Sequence, residues 1–165
     1  MRMNEPILSE LDREAATTRR LLERVPDARL GFKPHEKSMS LGQLAWHVAT
    51  TPGAIADLAQ KSGHELNGFS QPLPESTAAV LEAFDEGMVS ARKKIAAMDD
   101  ADLSSTWKAT SRGREVLSVP KIGLIRSIML NHWYHHRGQL SVYLRLLDVP
   151  LPSIYGPSAD ENPFA

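Results

Sequence analysis

The reading of the fold turns on PKIGLIRSIMLNHWYHHRGQLSVYLRLL, residues 120–147. Ile125, Met129, His132, His136, Leu140, Tyr143 and Leu147 recur in steps of three and four, which places them on one face of a helix. Pro120 suits a first-turn position, Ser118 is a candidate cap, and Pro150 and Pro152 stop the helix. This should be the longest helix of the chain. Its inward stripe is apolar except at two histidines.

Upstream, the pattern changes. Residues 99–119 have no clear helical period. Trp107, the tetrad Ser111-Arg112-Gly113-Arg114 and the run Val116 to Val119 fit either a short hairpin or an irregular loop. Before them, Val80, Leu81, Phe84, Met88, Ala91, Ile95 and Met98 predict a helix over about 75–98. Its acidic residues come early and its basic residues late, as the helix dipole favours.

A second helix is expected to start at Ser40, which has capping-box spacing to Gln43. Pro52 falls inside it. That proline leaves the Val48 carbonyl without its intrahelical partner and predicts a kink or an early end. Gly63 is read as closing this helix, and Gly68, Pro72 and Pro74 mark a linker. A first helix spans about 5–25, with Asn4 as cap and Pro26 as stop. The tail from Ser153 has little to fold with. No internal repeat is evident. The expected class is all-α: an antiparallel four-helix bundle, one domain over 1–165, with an irregular or short hairpin segment before the last helix.

A chain of 165 residues with 42% hydrophobic content can bury a real core. Nineteen basic against twenty acidic residues give a formal charge of -1, which argues against dedicated nucleic-acid or membrane-surface binding. With no cysteine there is no disulfide, no thiolate ligand and no cysteine nucleophile. Residues 1–12 lack the apolar run of a signal peptide, and no stretch approaches a membrane span. The cytoplasm is the expected compartment.

His132 and His136 are the chemically informative pair. Four residues apart, they differ by about 40° around the helix and can point two imidazoles at one ion. They lie on the apolar stripe, where two imidazoles are costly unless paired or metallated. A His132/His135 pair is geometrically conceivable but rotates the site off that stripe. A third ligand should come from another helix. His47, at the edge of the second helix's apolar face, is a candidate that position alone would not select. His35 and His64 fall in loops and are expected in solvent. Trp133 follows His132 where a zincin has its general-base glutamate, so no peptidase is expected. Arg137 is read as a salt-bridging residue. Lys108, Arg112, Arg114, Lys121 and Arg126 read as a solvated face rather than an anion site.

The segments Leu44-Ala45-Trp46-His47-Val48 and Asn131 to Leu140, with Tyr143 to Leu147 and Pro150 to Gly156 behind them, resemble the DinB/YfiT-like family of metal-dependent proteins. These are small damage-inducible-type four-helix bundles, not the DNA polymerase that shares the DinB label. The resemblance covers nearly the whole chain, and its most specific part is His-x-x-His-His-Arg-Gly-Gln. It implies that His47, His132 and His136 are the metal ligands. It also implies a fold similar to that of bacterial transferases and isomerases that use bacillithiol or mycothiol, and a homodimer.

Three neutral imidazoles suit zinc or nickel and leave a position open for water or substrate. Such a centre acidifies either a thiol or a water. Without cysteine, the thiol must be a low-molecular-weight cosubstrate. The chemistry leaves thiol transfer and hydrolysis close together; the resemblance implies a transferase joining that thiol to a small electrophile, with His135 and Gln139 as catalytic or supporting residues. The alternatives are a metal-dependent hydrolase and a non-enzymatic, stress-related metal-binding protein. An apolar funnel above the histidines would favour an enzyme; a sealed site with a fourth protein ligand would favour the structural role.

Overall fold

The computed structural model describes residues 2–68 and 70–164. The apolar repeats form helices close to where their spacing places them: α1 (Asn4–Leu22), α2 (Leu41–Ala59) and α3 (Thr77–Ala97). A short turn, α4 (Asp100–Ser104), follows α3. The last helical stretch has three parts: α5 (Lys121–Gly123), a wider π-helical segment (Leu124–Asn131) and α6 (His132–Arg145). Leu11, Leu21, Leu44, Val48, Phe84, Ile95, Ile125, Met129 and Leu140 are buried in one apolar cluster among these helices.

The all-α expectation needs correction. A three-stranded mixed sheet lies beside the helices, so the architecture is α/β rather than a pure four-helix bundle. The strand β1 (Gly63–Glu65) runs parallel to β2 (Thr106–Ser111), which pairs antiparallel with β3 (Arg114–Pro120). Of the two readings of 99–119, the hairpin is the one that forms. Arg112 and Gly113 turn it with positive φ of 52° and 73°, the backbone that two-residue hairpin loops favour. The third strand had no signal to find: three residues are too few for a period, and their partner lies over forty positions away. Gly63 does not close α2, which ends at Ala59. It lies in β1, where a Cβ would stand 2.4 Å from the Lys108 carbonyl oxygen, so only glycine permits the strand's approach.

Two local expectations also change. Asn4 does not cap α1. It is the first helical residue and is buried, and its amide donates to the carbonyls of Ile95 (3.2 Å) and Met98 (2.9 Å). It thereby adds a donor at the C-terminus of α3, where helical N–H partners run out, alongside the Met98 N–H on Ile95 and Arg2 on Met98. At Pro52, α2 continues rather than stopping. The orphaned Val48 carbonyl instead accepts the indole N–H of Trp133 at 2.8 Å. One turn later, Gly53 and Gly87 bring α2 and α3 together so closely that a Cβ on Gly53 would meet the Gly87 Cα at 3.0 Å.

The tail beyond α6 has no regular structure but is tied back. Tyr155 donates to Glu14 at 2.9 Å and accepts from Arg137, while Asp160 pairs with Arg145 and Glu161 with Arg20. Among the described residues, no helix is long and apolar enough to cross a membrane.

Candidate metal centre

His47 sits in the second turn of α2, whose start is set by the expected capping box. The Gln43 N–H donates to the Ser40 hydroxyl at 3.2 Å, and the Ser40 N–H donates to the Gln43 side chain at 3.0 Å. His132 opens α6 directly after the π-helical segment, and His136 lies one α-helical turn on. A π-helical turn takes in an extra residue and so re-phases the helix that follows, a device common at functional sites. Trp133, clamped between Val48 and Phe84, fixes that phase against α2.

The structure brings the three histidines together. One ligating nitrogen from each of His47, His132 and His136 can be chosen so that all lie within 4.8 Å of one another. The Nε2 atoms of His47 and His132 are 3.1 Å apart. Two imidazole nitrogens on a tetrahedral zinc stand about 3.3 Å apart, so the spacing fits a shared ion. Among the described residues, no fourth histidine, cysteine or carboxylate joins the cluster.

The electrostatics also suit a cation. Burial, then the neighbouring His136 and His132, push the His47 imidazole down to about 4. Burial likewise lowers His132 and His136, with repulsion from neighbouring histidines acting the same way and the Gln139 hydrogen bond partly opposing it at His136. All three rings are neutral near pH 7, the form that ligates metal. The donor set can therefore hold a divalent ion without prior deprotonation.

Two amides hold the outer nitrogens. Gln139 lies 2.7 Å from His136 Nδ1 through its oxygen, so Nδ1 carries the proton and Nε2 the lone pair. Gln71 lies 2.9 Å from His47 Nδ1. The atom facing Nδ1 is the Gln71 amide nitrogen; with His47 Nε2 turned to an ion, the Nδ1–H would donate to the Gln71 oxygen once that amide is turned end for end. Gln71 itself is held by Gln43, which donates to its backbone carbonyl at 3.0 Å. The cap of α2 thus reaches the outer face of His47. Sequence reading missed Gln71 because it lies in a linker without periodicity.

Of the other sites read from sequence, His135 is exposed, with its ring centroid 4.9 Å from that of His136. Gln139 is exposed apart from its contact with His136. His35 and His64 are exposed and outside the cluster. Arg137 is fully buried, paired with Glu14 at 2.7 Å, donating to Thr18 at 3.0 Å and stacked between Tyr134 and Tyr155. Its role is structural. In the basic patch, Lys108 pairs with Glu115 and Arg126 with Glu10.

A cavity of about 660 Å³ opens from His47 and His132. Ile55 and Leu58 of α2, Trp107 and Leu117 of the hairpin, and Leu124 and Ile128 of the π-helical segment wall it. Neither His135 nor Gln139 lines it.

The DinB family model matches residues 1–162. The chain belongs to the DinB family. Its curated relatives include two uncharacterized proteins of Bacillus subtilis (strain 168). YrdA is 25% identical over 90% of this chain and 85% of its own length. YjoA is 24% identical over 88% and 91%. Among solved structures, a DinB-like protein from Bacillus cereus has a TM-score of 0.73 at 21% identity, covering 93% of this chain and 98% of its own. The DinB-like YjoA structure has a TM-score of 0.70 at 21% identity, covering 91% and 97%. These likenesses show a DinB-like fold, and a three-histidine cluster in such a fold fits a metal-dependent protein.

The geometry makes two predictions. Replacing Gln71 with Leu should weaken metal binding roughly 10–100-fold, the usual effect of losing an outer partner of a ligating histidine. Chelator competition measures this, and unchanged affinity would remove Gln71 from the site. The second concerns acid. The folded pKa of His47 is depressed from 6.5 to about 4, so the unfolded chain takes up a proton that the folded, metal-free chain refuses. Stability is therefore full above 6.5 and lost as the pH falls towards 4. Thermal unfolding in chelator should show Tm declining across that window, and His47→Gln should flatten its upper part.

Proposed function

We propose that this DinB protein is a divalent-metal enzyme, with zinc or nickel on His47, His132 and His136, that joins a low-molecular-weight thiol to a small electrophile. One observation carries the reading: the three-histidine cluster meets a cavity in whose lining, among the described residues, there is no aspartate, glutamate or cysteine. When bound, the ion would supply a Lewis-acid centre that holds a coordinated thiol in its thiolate form. A thiol acidified in this way needs no protein base. Hydrolysis commonly recruits a carboxylate to handle the proton of water, and the walls provide none. The opening onto a cavity, with no fourth protein ligand, also argues against a sealed structural site.

The chain's own residues divide the remaining work. His47, His132 and His136 supply neutral nitrogens. Gln139 orients the ring of His136 and Gln71 that of His47. The apolar walls exclude water, which disfavours hydrolysis of the electrophile. The test is turnover of a small electrophile by the metal-loaded protein with and without a panel of cellular thiols. Thiol-dependent product formation is expected, with loss on chelation. A rate indifferent to every thiol would overturn the transferase reading, and thiol-independent cleavage would assign a hydrolase instead.

A further inference from the structure

We infer that the cavity selects an uncharged, predominantly apolar small molecule as the electrophilic substrate, with Trp107 and Leu117 of the β2–β3 hairpin as specificity determinants. The inference rests on the metal-enzyme reading only for the word electrophilic. The selection itself follows from the walls.

Among the described residues, no charged side chain lines the cavity. The polar residues that do are turned away or already engaged. Thr50 donates its hydroxyl to the Trp46 carbonyl at 2.9 Å, and Thr51 donates to the His47 carbonyl at 2.6 Å. Both hydroxyls are bonded back into α2. The Trp107 indole N–H donates to the Leu58 carbonyl at 3.0 Å, so Trp107 offers the cavity its ring. What remains polar is confined to His47, His132 and Gln71, at the metal end. A charged group entering the apolar part would lose its hydration and find no counter-charge. An apolar body reaching inward with one polarised, reactive end matches both halves. The volume lies within the roughly 300–1,000 Å³ of small-molecule sites.

The hairpin supplies the wall opposite α2, so it determines the shape of what fits. Trp107 is buried and anchored, whereas Val116 and Leu66 are exposed apolar side chains. An apolar ligand would cover both.

The test uses the full-length protein as isolated, with its metal content measured in the same preparation. Calorimetric titration would compare 2-naphthol with its charged counterparts 2-naphthoate and 2-naphthylmethylammonium. Saturable binding of the neutral probe is expected, with the ammonium at least about tenfold weaker. Ala54→Trp places a bulky ring into the cavity from an exposed position of α2. It should weaken 2-naphthol binding at least about tenfold and leave the metal content unchanged. Equal affinity for naphthol and the ammonium would overturn the inference, as would undiminished naphthol binding by Ala54→Trp. Absence of naphthol binding would also overturn it, and sedimentation showing self-association would then assign the apolar walls to a second copy of the chain. Naphthol binding in a protein without metal would instead leave the cavity reading standing and remove the metal-enzyme reading.

Discussion

The His132→Ala variant should lose its metal. Purified without an affinity tag, the parent protein is expected to carry a stoichiometric divalent ion by elemental analysis, and the variant to fall to background. His132 closes a compact triangle of rings: it lies 5.2 Å from His47 and 4.4 Å from His136, and His47 lies 4.4 Å from His136, centroid to centroid. Its removal leaves only the imidazoles of His47 and His136, one from each helix, which make a weak site. Affinity should drop by more than the 10–100-fold expected for an outer partner. The chain should stay folded, because His132 is only half-buried and the apolar cluster does not depend on it. His35→Ala and His64→Ala, at exposed positions, should retain the ion. Stoichiometric metal persisting in His132→Ala would place the site elsewhere.

The largest loss of stability is expected at Trp133. Its side chain is fully buried, and its N–H completes the hydrogen bonding of a carbonyl that Pro52 leaves orphaned. Trp133→Ala should destabilise by about 3–5 kcal/mol from the vacated volume. Trp133→Phe keeps most of the apolar volume and isolates the hydrogen bond, at about 1–3 kcal/mol. Urea unfolding should show a lower midpoint at an unchanged slope. The mechanism has its own check. Pro52→Ala restores an N–H one helical turn after Val48, so the carbonyl has a second donor. Trp133→Phe should then cost less in the Pro52→Ala background than in the parent, with a coupling of about 1 kcal/mol. Strict additivity would show that Trp133 acts through packing alone.

Arg137 illustrates the limits of position as a guide. Its place next to His136 suggests chemistry, yet its guanidinium is buried against Glu14, Thr18 and Tyr155. There it joins α1, α6 and the tail. Sequence spacing gave the correct sense, a salt bridge, because the residue lies off the histidine stripe. The partners were not legible, since Glu14 and Tyr155 are far away in opposite directions along the chain.

The sequence by itself determined the helices and the histidine pair. Side chains at i, i+3 and i+4 share a face whatever surrounds them, so the stripes on α1, α2, α3 and α6 and the proximity of His132 to His136 follow from helix geometry. Ser40 and Gln43 likewise marked the start of α2, because capping is a contact within one turn. Only the tertiary structure decided the rest. The third strand joins the hairpin because Gly63 lets β1 approach β2, a pairing between distant segments with no local signature. Asn4 caps α3 rather than its own helix, and Trp133 rather than a helical N–H satisfies Val48, because buried polar groups take whichever partner the packing supplies. His47 reaches its fellow ligands only through the contact of α2 with α6, in a phase set by the π-helical turn. The cavity is bounded by α2, the hairpin and that same turn, so its apolar character is a property of their assembly.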